Sequence, residues 1–299
     1  MDKPKKIQRG LKEVSHLFLS SLEGAEARIA LRDISPAQQQ QFLKRCKFRA
    51  SFILDPALER EEMLFQSALS ALCEEEFERV WLIVDEPAES MWLELQSRYS
   101  LPSFQEVKEA QCRIYPLGAK RQVVVVGREY FKSLSGYGRI REREVLVPIR
   151  PELFWFVLSK KTPSSFPDCV PFLDELMFVC SPHVEAFSEA YKMLKACLHM
   201  TPDLNFSVLL AQSGPAEGDT SKMRQMFDGE FNRITGRYLH LRVPVVGPID
   251  VKNLMKTNSD GLAHQDLFSF YRVQNWKRWQ EKMAFTSRLF DYLVESTKT

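Results

Sequence analysis

Glycine is scarce in this chain, with 12 residues in 299 and none from Ala25 to Leu117. No Gly-Lys dipeptide occurs anywhere. A glycine-rich loop that cradles phosphate with backbone amides and a following lysine therefore has nowhere to form. Cysteine pairing is missing too. Cys46, Cys73, Cys112, Cys169, Cys180 and Cys197 include no Cys-x-x-Cys, which excludes a zinc-knuckle spacing and a dense disulfide scaffold. Most of these thiols lie in apolar or helical contexts, where cysteine behaves as a small buried hydrophobe in a reducing compartment. His16, His183, His199, His240 and His264 are too scattered for a metal site. No run approaches ~18 uninterrupted apolar residues, so no transmembrane helix is expected. Charge of one sign is lacking as well. Lys and Arg number 41 against 39 Asp and Glu, a net of +2, which argues against a global electrostatic nucleic-acid binder.

What is present is an ordinary core-forming composition, 44% hydrophobic and 27% charged. Short apolar runs at 48–54, 80–84, 123–126, 176–180, 206–210 and 241–246 read as strands. Pro244 marks the last as an edge strand or one that ends early. Helical periodicity occupies 58–72, 91–99, 183–200, 220–236 and 273–295. Strands alternating with helices of this length predict an α/β protein with a mostly parallel sheet flanked by helices. Loops are expected at 133–143 and 159–171. The expected organisation is a basic amphipathic segment over 1–40 followed by a single domain over 41–299.

Three segments of the second half carry a resemblance. They are ELMFVCSPHVEAFSEAYKMLKACL, NFSVLLAQS and LHLRVPVVGPIDVKNLMKT. Their order and spacing resemble bacterial ATPases of the MinD/ParA type, within them the flagellar-number regulators, over about 173–255. The resemblance implies a degenerate P-loop NTPase fold. It also places Gln212 where the family has an asparagine on the adenine, and Asp250 near its second adenine loop. A glutamine keeps the amide hydrogen bonds. The first half departs from the pattern. Where the family runs from its first strand into K-G-G-x-G-K-[ST], this chain has Asp55-Pro56-Ala57-Leu58-Glu59-Arg60-Glu61, and carboxylates repel phosphate. No catalytic lysine carries over, and neither a catalytic residue, a cofactor nor a metal is expected.

Other candidates have plain structural readings. The loop around Gly136 and Gly138, with Arg139, Arg141 and Arg143, reads as a surface loop, a lone Gly-x-Gly being weak. Asp85 reads as a turn or helix-cap residue. His183 has no partner arranged for nucleophilic catalysis. In the N-terminal segment Ile7, Leu11, Val14, Leu17 and Phe18 recur at helical spacing among Lys3, Lys5, Lys6, Arg9 and Lys12. That stretch suits a partner's groove, an anionic membrane or the chain's own surface. MinD proteins end in a basic amphipathic membrane helix, but a final helix packed on the sheet explains the periodicity around Met283, Leu289 and Phe290 better.

The expected function is therefore a non-catalytic adaptor or positioning factor acting through protein contact. Its partner would be a MinD-type ATPase or a second copy, and the resemblance implies the assembly of a bacterial surface apparatus. The expected location is cytoplasmic, with peripheral contact at the inner membrane allowed. Two other classes stay open: a nucleotide-binding ATPase or sensor with an unorthodox site, and a nucleic-acid-binding module.

Overall fold

Strand β2 (Cys46–Ile53) shows how the sequence builds the sheet. Cys46, Phe48, Ala50 and Phe52 face one apolar cluster, whereas Ile53 faces another. β7 (Glu152–Leu158) splits in the same way, with Phe154 and Phe156 on the first side and Trp155 and Val157 on the second. Side chains alternate along a strand, so a run apolar at every position must be covered on both faces. The structure, a computed structural model, describes residues 26–30, 35–38, 45–56, 58–108, 112–127, 144–148, 150–159, 169–182, 184–202, 204–212, 220–256 and 276–298.

The other elements are β1 (Glu26–Ala30), α1 (Glu62–Ala71), β3 (Arg79–Asp85), α2 (Glu89–Gln96), α3 (Phe104–Lys108), β4 (Cys112–Pro116), β5 (Arg121–Val126) and β6 (Glu144–Pro148). After β7 come β8 (Glu175–Cys180), α4 (Val184–Met200), β9 (Asn205–Gln212), α5 (Thr220–Leu239), β10 (Val245–Asp250), α6 (Val251–Lys256) and α7 (Trp276–Lys298). An eight-stranded sheet runs β10-β9-β8-β2-β7-β3-β5-β4, and β1 pairs with β6 in a separate two-stranded ribbon. Within the large sheet every pairing is parallel except β4 with β5. The mostly parallel, helix-flanked sheet expected from the sequence is the sheet observed.

The strand reading is corrected in two respects: β1, β4, β6 and β7 are strands it does not anticipate, and one anticipated strand is displaced. β7, not anticipated, sits in the middle of the sheet between β2 and β3. The strand anticipated over 241–246 instead spans Val245–Asp250. Pro244 precedes the strand rather than ending it, and β10 does lie at the sheet's edge. Its approach is held by α5. The Asn232 Nδ2 donates to the Val243 carbonyl at 2.9 Å, and the Val243 N–H donates to Asn232 Oδ1 at 2.7 Å. Arg224 Nε donates to the Val245 carbonyl at 3.1 Å. Such contacts blunt an otherwise open edge.

One face of the sheet is covered by α4, α5 and α7, through Ala190, Leu194, Phe231, Met283, Phe285 and Leu289. The other is covered by α1, α2 and α6, through Phe65, Leu69, Trp92, Leu95 and Val251. The C-terminal helix thus buries its apolar face against the sheet, as the packing explanation of its periodicity requires. Among the described residues, no helix is long and apolar enough to cross a membrane. At the strands' N-terminal ends, buried ion pairs join neighbouring elements: Arg49 with Glu175 at 3.3 Å, Arg79 with Glu152, and Lys282 with Asp174.

Candidate functional site

The strands' C-terminal ends form the rim where open α/β sheets place ligands, and β2 with its following turn lies at the centre. That turn runs from Asp55 through a 3-10 turn at Glu59–Glu61 into α1. Pro56 and Arg60 are exposed, Asp55 and Glu59 half-buried, and Leu58 is buried, packing into the core beneath α1 and α2. No glycine supplies the close backbone approach that phosphate needs.

Carboxylates gather instead at the start of α1. Glu62, its first residue, is buried and accepts a hydrogen bond from Ser159 Oγ at 2.6 Å, just past the end of β7. The N–H of Met63 donates to the Glu94 carboxylate of α2 at 2.9 Å. The Glu94 carboxylate thus meets the helix end whose dipole and first amides favour negative charge, while the Glu62 carboxylate in the same turn is taken up by Ser159. One turn further on, Gln66 turns toward the sheet. Its Oε1 accepts from Ser51 Oγ and from Trp155 Nε1, the latter at 2.9 Å, and its Nε2 donates to the Ser51 carbonyl at 3.2 Å. α1 is covered on nearly all sides, so Glu62 and Gln66, which look solvent-facing in the sequence, bind the sheet.

The two residues singled out for nucleotide contact do come together. Asp250 and Gln212 are register partners at the ends of β10 and β9, both half-buried. The Asp250 carboxylate accepts the amides of Lys252 at 2.9 Å and Asn253 at 3.3 Å, which makes it the N-cap of α6. Gly247 opens this corner with φ of +97°, and a Cβ there would run into the Leu210 carbonyl oxygen. Only glycine fits such a position.

Asp85 ends β3 and is buried, but it does not cap the next helix. The N-cap of α2 is Ala88, without a side-chain bond. Ile7, Leu11, Val14, Leu17 and Phe18, the Gly136 loop and His183 lie outside the described residues. All six cysteines are buried and none forms a disulfide. Burial pushes the thiols of Cys73, Cys112, Cys180 and Cys197 up to about 12. Among the described residues no group of three or more His, Cys, Asp or Glu side chains is placed to hold a metal.

The residues that the sequence did not point out are Glu62, Glu94, Ser159, Gln66 and Trp155. The only advance signal was the spacing of Glu62 and Gln66 by four inside an apolar helical pattern, and spacing alone does not say which side faces water.

This arrangement defines a mostly parallel α/β protein whose rim turn is acidic and internally bonded. No family model matches the chain, and no curated protein matches it in sequence. Among solved structures it is similar in fold to the MinD cell division protein of Aquifex aeolicus, at 12% identity over 79% of this chain and 97% of that one, with a TM-score of 0.44. It is similar also to a ParA family ATPase from Chlorobium tepidum TLS, at 8% identity over 82% and 98%, with a TM-score of 0.40. The apo form of McdA from Cyanothece matches at 10% identity over 83% and 99%, with a TM-score of 0.44.

Proposed function

We propose that this chain is a non-catalytic adaptor or positioning factor that works by holding a protein partner and has given up nucleotide hydrolysis. The observation that carries the reading is the turn after the central strand. Where phosphate would need glycine amides and lysine, the turn offers Asp55, Glu59 and Glu61, a buried Leu58, and the buried Glu62 bonded to Ser159. A triphosphate brought to this turn would meet like charge at short range and a helix end whose amide already serves a carboxylate. The sequence resemblance of the second half to MinD/ParA-type ATPases supports such an ATPase, or a second copy of this chain, as the partner.

A second reading rests on the meeting of Gln212 with Asp250 at the rim. A nucleoside held there by its base, without its phosphates gripped, would make the chain a nucleotide sensor. Calorimetry on the purified chain with ATP or ADP and magnesium separates the two. The adaptor reading expects no heat of binding at high micromolar nucleotide, and co-purification with an intact P-loop ATPase identifiable by mass spectrometry. Low-micromolar ATP binding would overturn it in favour of the sensor.

A further inference from the structure

The three most exposed large apolar side chains among the described residues are Met226 and Tyr238 on α5, at 66% and 61%, and Leu93 on α2, at 52%. Single apolar residues at a surface are ordinary, but these stand among charges, and the sign differs between the two helices. On α5, Lys222, Met226, Gly229, Arg233 and Arg237 recur at helical spacing on the side turned away from the buried Phe227 and Phe231. The helix exposes Lys222, Arg224, Arg233 and Arg237. Its acids are Asp228, half-buried on Asn232, and Glu230, which pairs with Arg233 at 2.8 Å. Arg237 also lies over the Tyr238 ring, 5.5 Å from its centre. A Cβ on Gly229 would meet nothing of this chain within 4 Å, so the backbone beside Met226 is open to a neighbour.

Around Leu93 the sign is reversed. Glu86 and Glu89 precede it and are exposed. The bond from the Met63 N–H to Glu94 sets the turn that carries Glu59 and Glu61 beside this helix. Arg60 and Arg98 lie in the same region, the second held on the Met255 carbonyl. Trp92 and Leu95 of α2 pack on the opposite side of the sheet from Phe227 and Phe231 of α5. The acidic and basic faces therefore point away from one another, and one chain cannot join its own two. A second copy can. We propose that the basic outer face of α5 docks on the acidic face at α2 of a second copy of this chain, head to tail. Met226 then meets Leu93, and the cations of α5 come among the carboxylates of the neighbour, a complementarity that fixes register and excludes like-charged pairings. A contact between two different faces leaves one of each free at the ends, so it repeats into a ring or a filament. This rests on the adaptor reading and names its partner as the same chain.

The experiment is sedimentation velocity on the full chain, from low to high micromolar, at low salt and again at about 0.5 M salt, where attraction between exposed charges is largely screened. The expected result is a mass that climbs past two chains with concentration at low salt and falls back toward one chain at high salt. Arg233→Glu with Arg237→Glu makes both faces acidic, and Glu86→Lys with Glu89→Lys makes both basic. Each variant alone is expected to associate at least about tenfold more weakly than wild type. Mixed in equal amounts the two should assemble again, because the acidic faces of one then meet the basic faces of the other. A wild-type chain that sediments as one chain throughout would overturn the proposal. So would a mass that stops at two chains, the mark of a symmetric contact, or assembly indifferent to both reversals. A chain that stays single but binds short duplex DNA through Arg233 and Arg237 would also overturn it, giving α5 to a nucleic acid. Should a reversed variant not fold, Met226→Ser and Leu93→Ser at the two exposed positions are read in the same way. Each is expected to weaken association, and no change in either overturns the proposal. Micromolar ATP binding by a chain that still assembles sinks the adaptor reading alone, whereas a single chain that binds no ATP sinks this proposal alone.

Discussion

Lys282→Met offers the sharpest test of how the C-terminal helix sits. The Lys282 side chain is fully buried on α7, its ammonium on Asp174 Oδ1 and 5.5 Å from the centre of the Phe48 ring. Asp174 in turn accepts the Phe48 N–H through Oδ2 at 2.7 Å. Methionine has similar length and volume, so little cavity is made and packing is mostly kept. What is lost is the charge that neutralises a buried carboxylate, and breaking one side of such a pair costs about 3–5 kcal/mol. Adding Asp174→Asn removes the orphaned charge while the amide oxygen still accepts from Phe48, so the double variant is expected to regain half or more of that loss. Urea unfolding followed by tryptophan fluorescence measures both variants. A single variant within about 1 kcal/mol of wild type would refute the reasoning. Lys282 would then stand in water, and the amphipathic end would again be a candidate for a membrane surface.

The Glu175 carboxyl is pushed up from 4.5 to about 7 by burial, against the opposing pull of Arg49. The folded state therefore holds this proton more tightly than the unfolded one, so stability falls as pH rises from about 4.5 to about 7 and levels off above. The loss is roughly 3 kcal/mol at most, and Glu175→Gln should flatten that slope in unfolding measured across this window; an unaltered slope would contradict it. Gly247→Ala is expected to cost roughly 2–4 kcal/mol, because a left-handed φ and a backbone oxygen both oppose the methyl; a melting temperature equal to wild type would count against the corner as described. Thiol titration with an aromatic disulfide should find no fast-reacting cysteine in the native chain and six on unfolding, since all six are buried; rapid native labelling of any of them would show a looser core.

The sequence revealed the class of fold because the signal for it is repeated. Runs such as those at Val123–Val126 and Leu176–Cys180 are apolar at every position, which only a doubly covered sheet tolerates. β7 carries the same signal in Leu153-Phe154-Trp155-Phe156-Val157 and sits at the sheet's centre, yet Pro151 before it and the loop expected after it mask the run as part of a connection. β1 and β6 are invisible for a different reason. Each is five residues long and finds its partner more than a hundred residues away, so no local pattern marks the pairing. At the rim, the meeting of Gln212 with Asp250 is legible only through the resemblance. Glu94 is not legible at all, because its partner is a backbone amide and an amide leaves no trace in residue type.

The acidic turn raises the question of how a helix end keeps its shape without the ligand that glycine-rich turns are built to hold. The first amides of any helix need acceptors, and leaving one buried without an acceptor costs about 1–3 kcal/mol. Here Glu94 supplies an acceptor, Ser159 satisfies the carboxylate of Glu62, and Gln66 joins α1 to Ser51 and Trp155 on two neighbouring strands. These bonds run between α1, α2, β2 and β7, so each both satisfies a polar group and fixes one element against another. On the adaptor reading proposed above, a sheet rim wired in this way has no use for phosphate, and replacing Glu62 in a glycine-lysine loop would leave Ser159 without the carboxylate it bonds. The absence noted first in the sequence and the bonds found in the structure are therefore one fact seen from two sides. Restoring a glycine-lysine loop at 55–62 alone should unfold the end of α1 rather than recover nucleotide binding. Circular dichroism with ATP calorimetry on that variant decides it, and micromolar ATP binding by a fully folded variant would refute the argument.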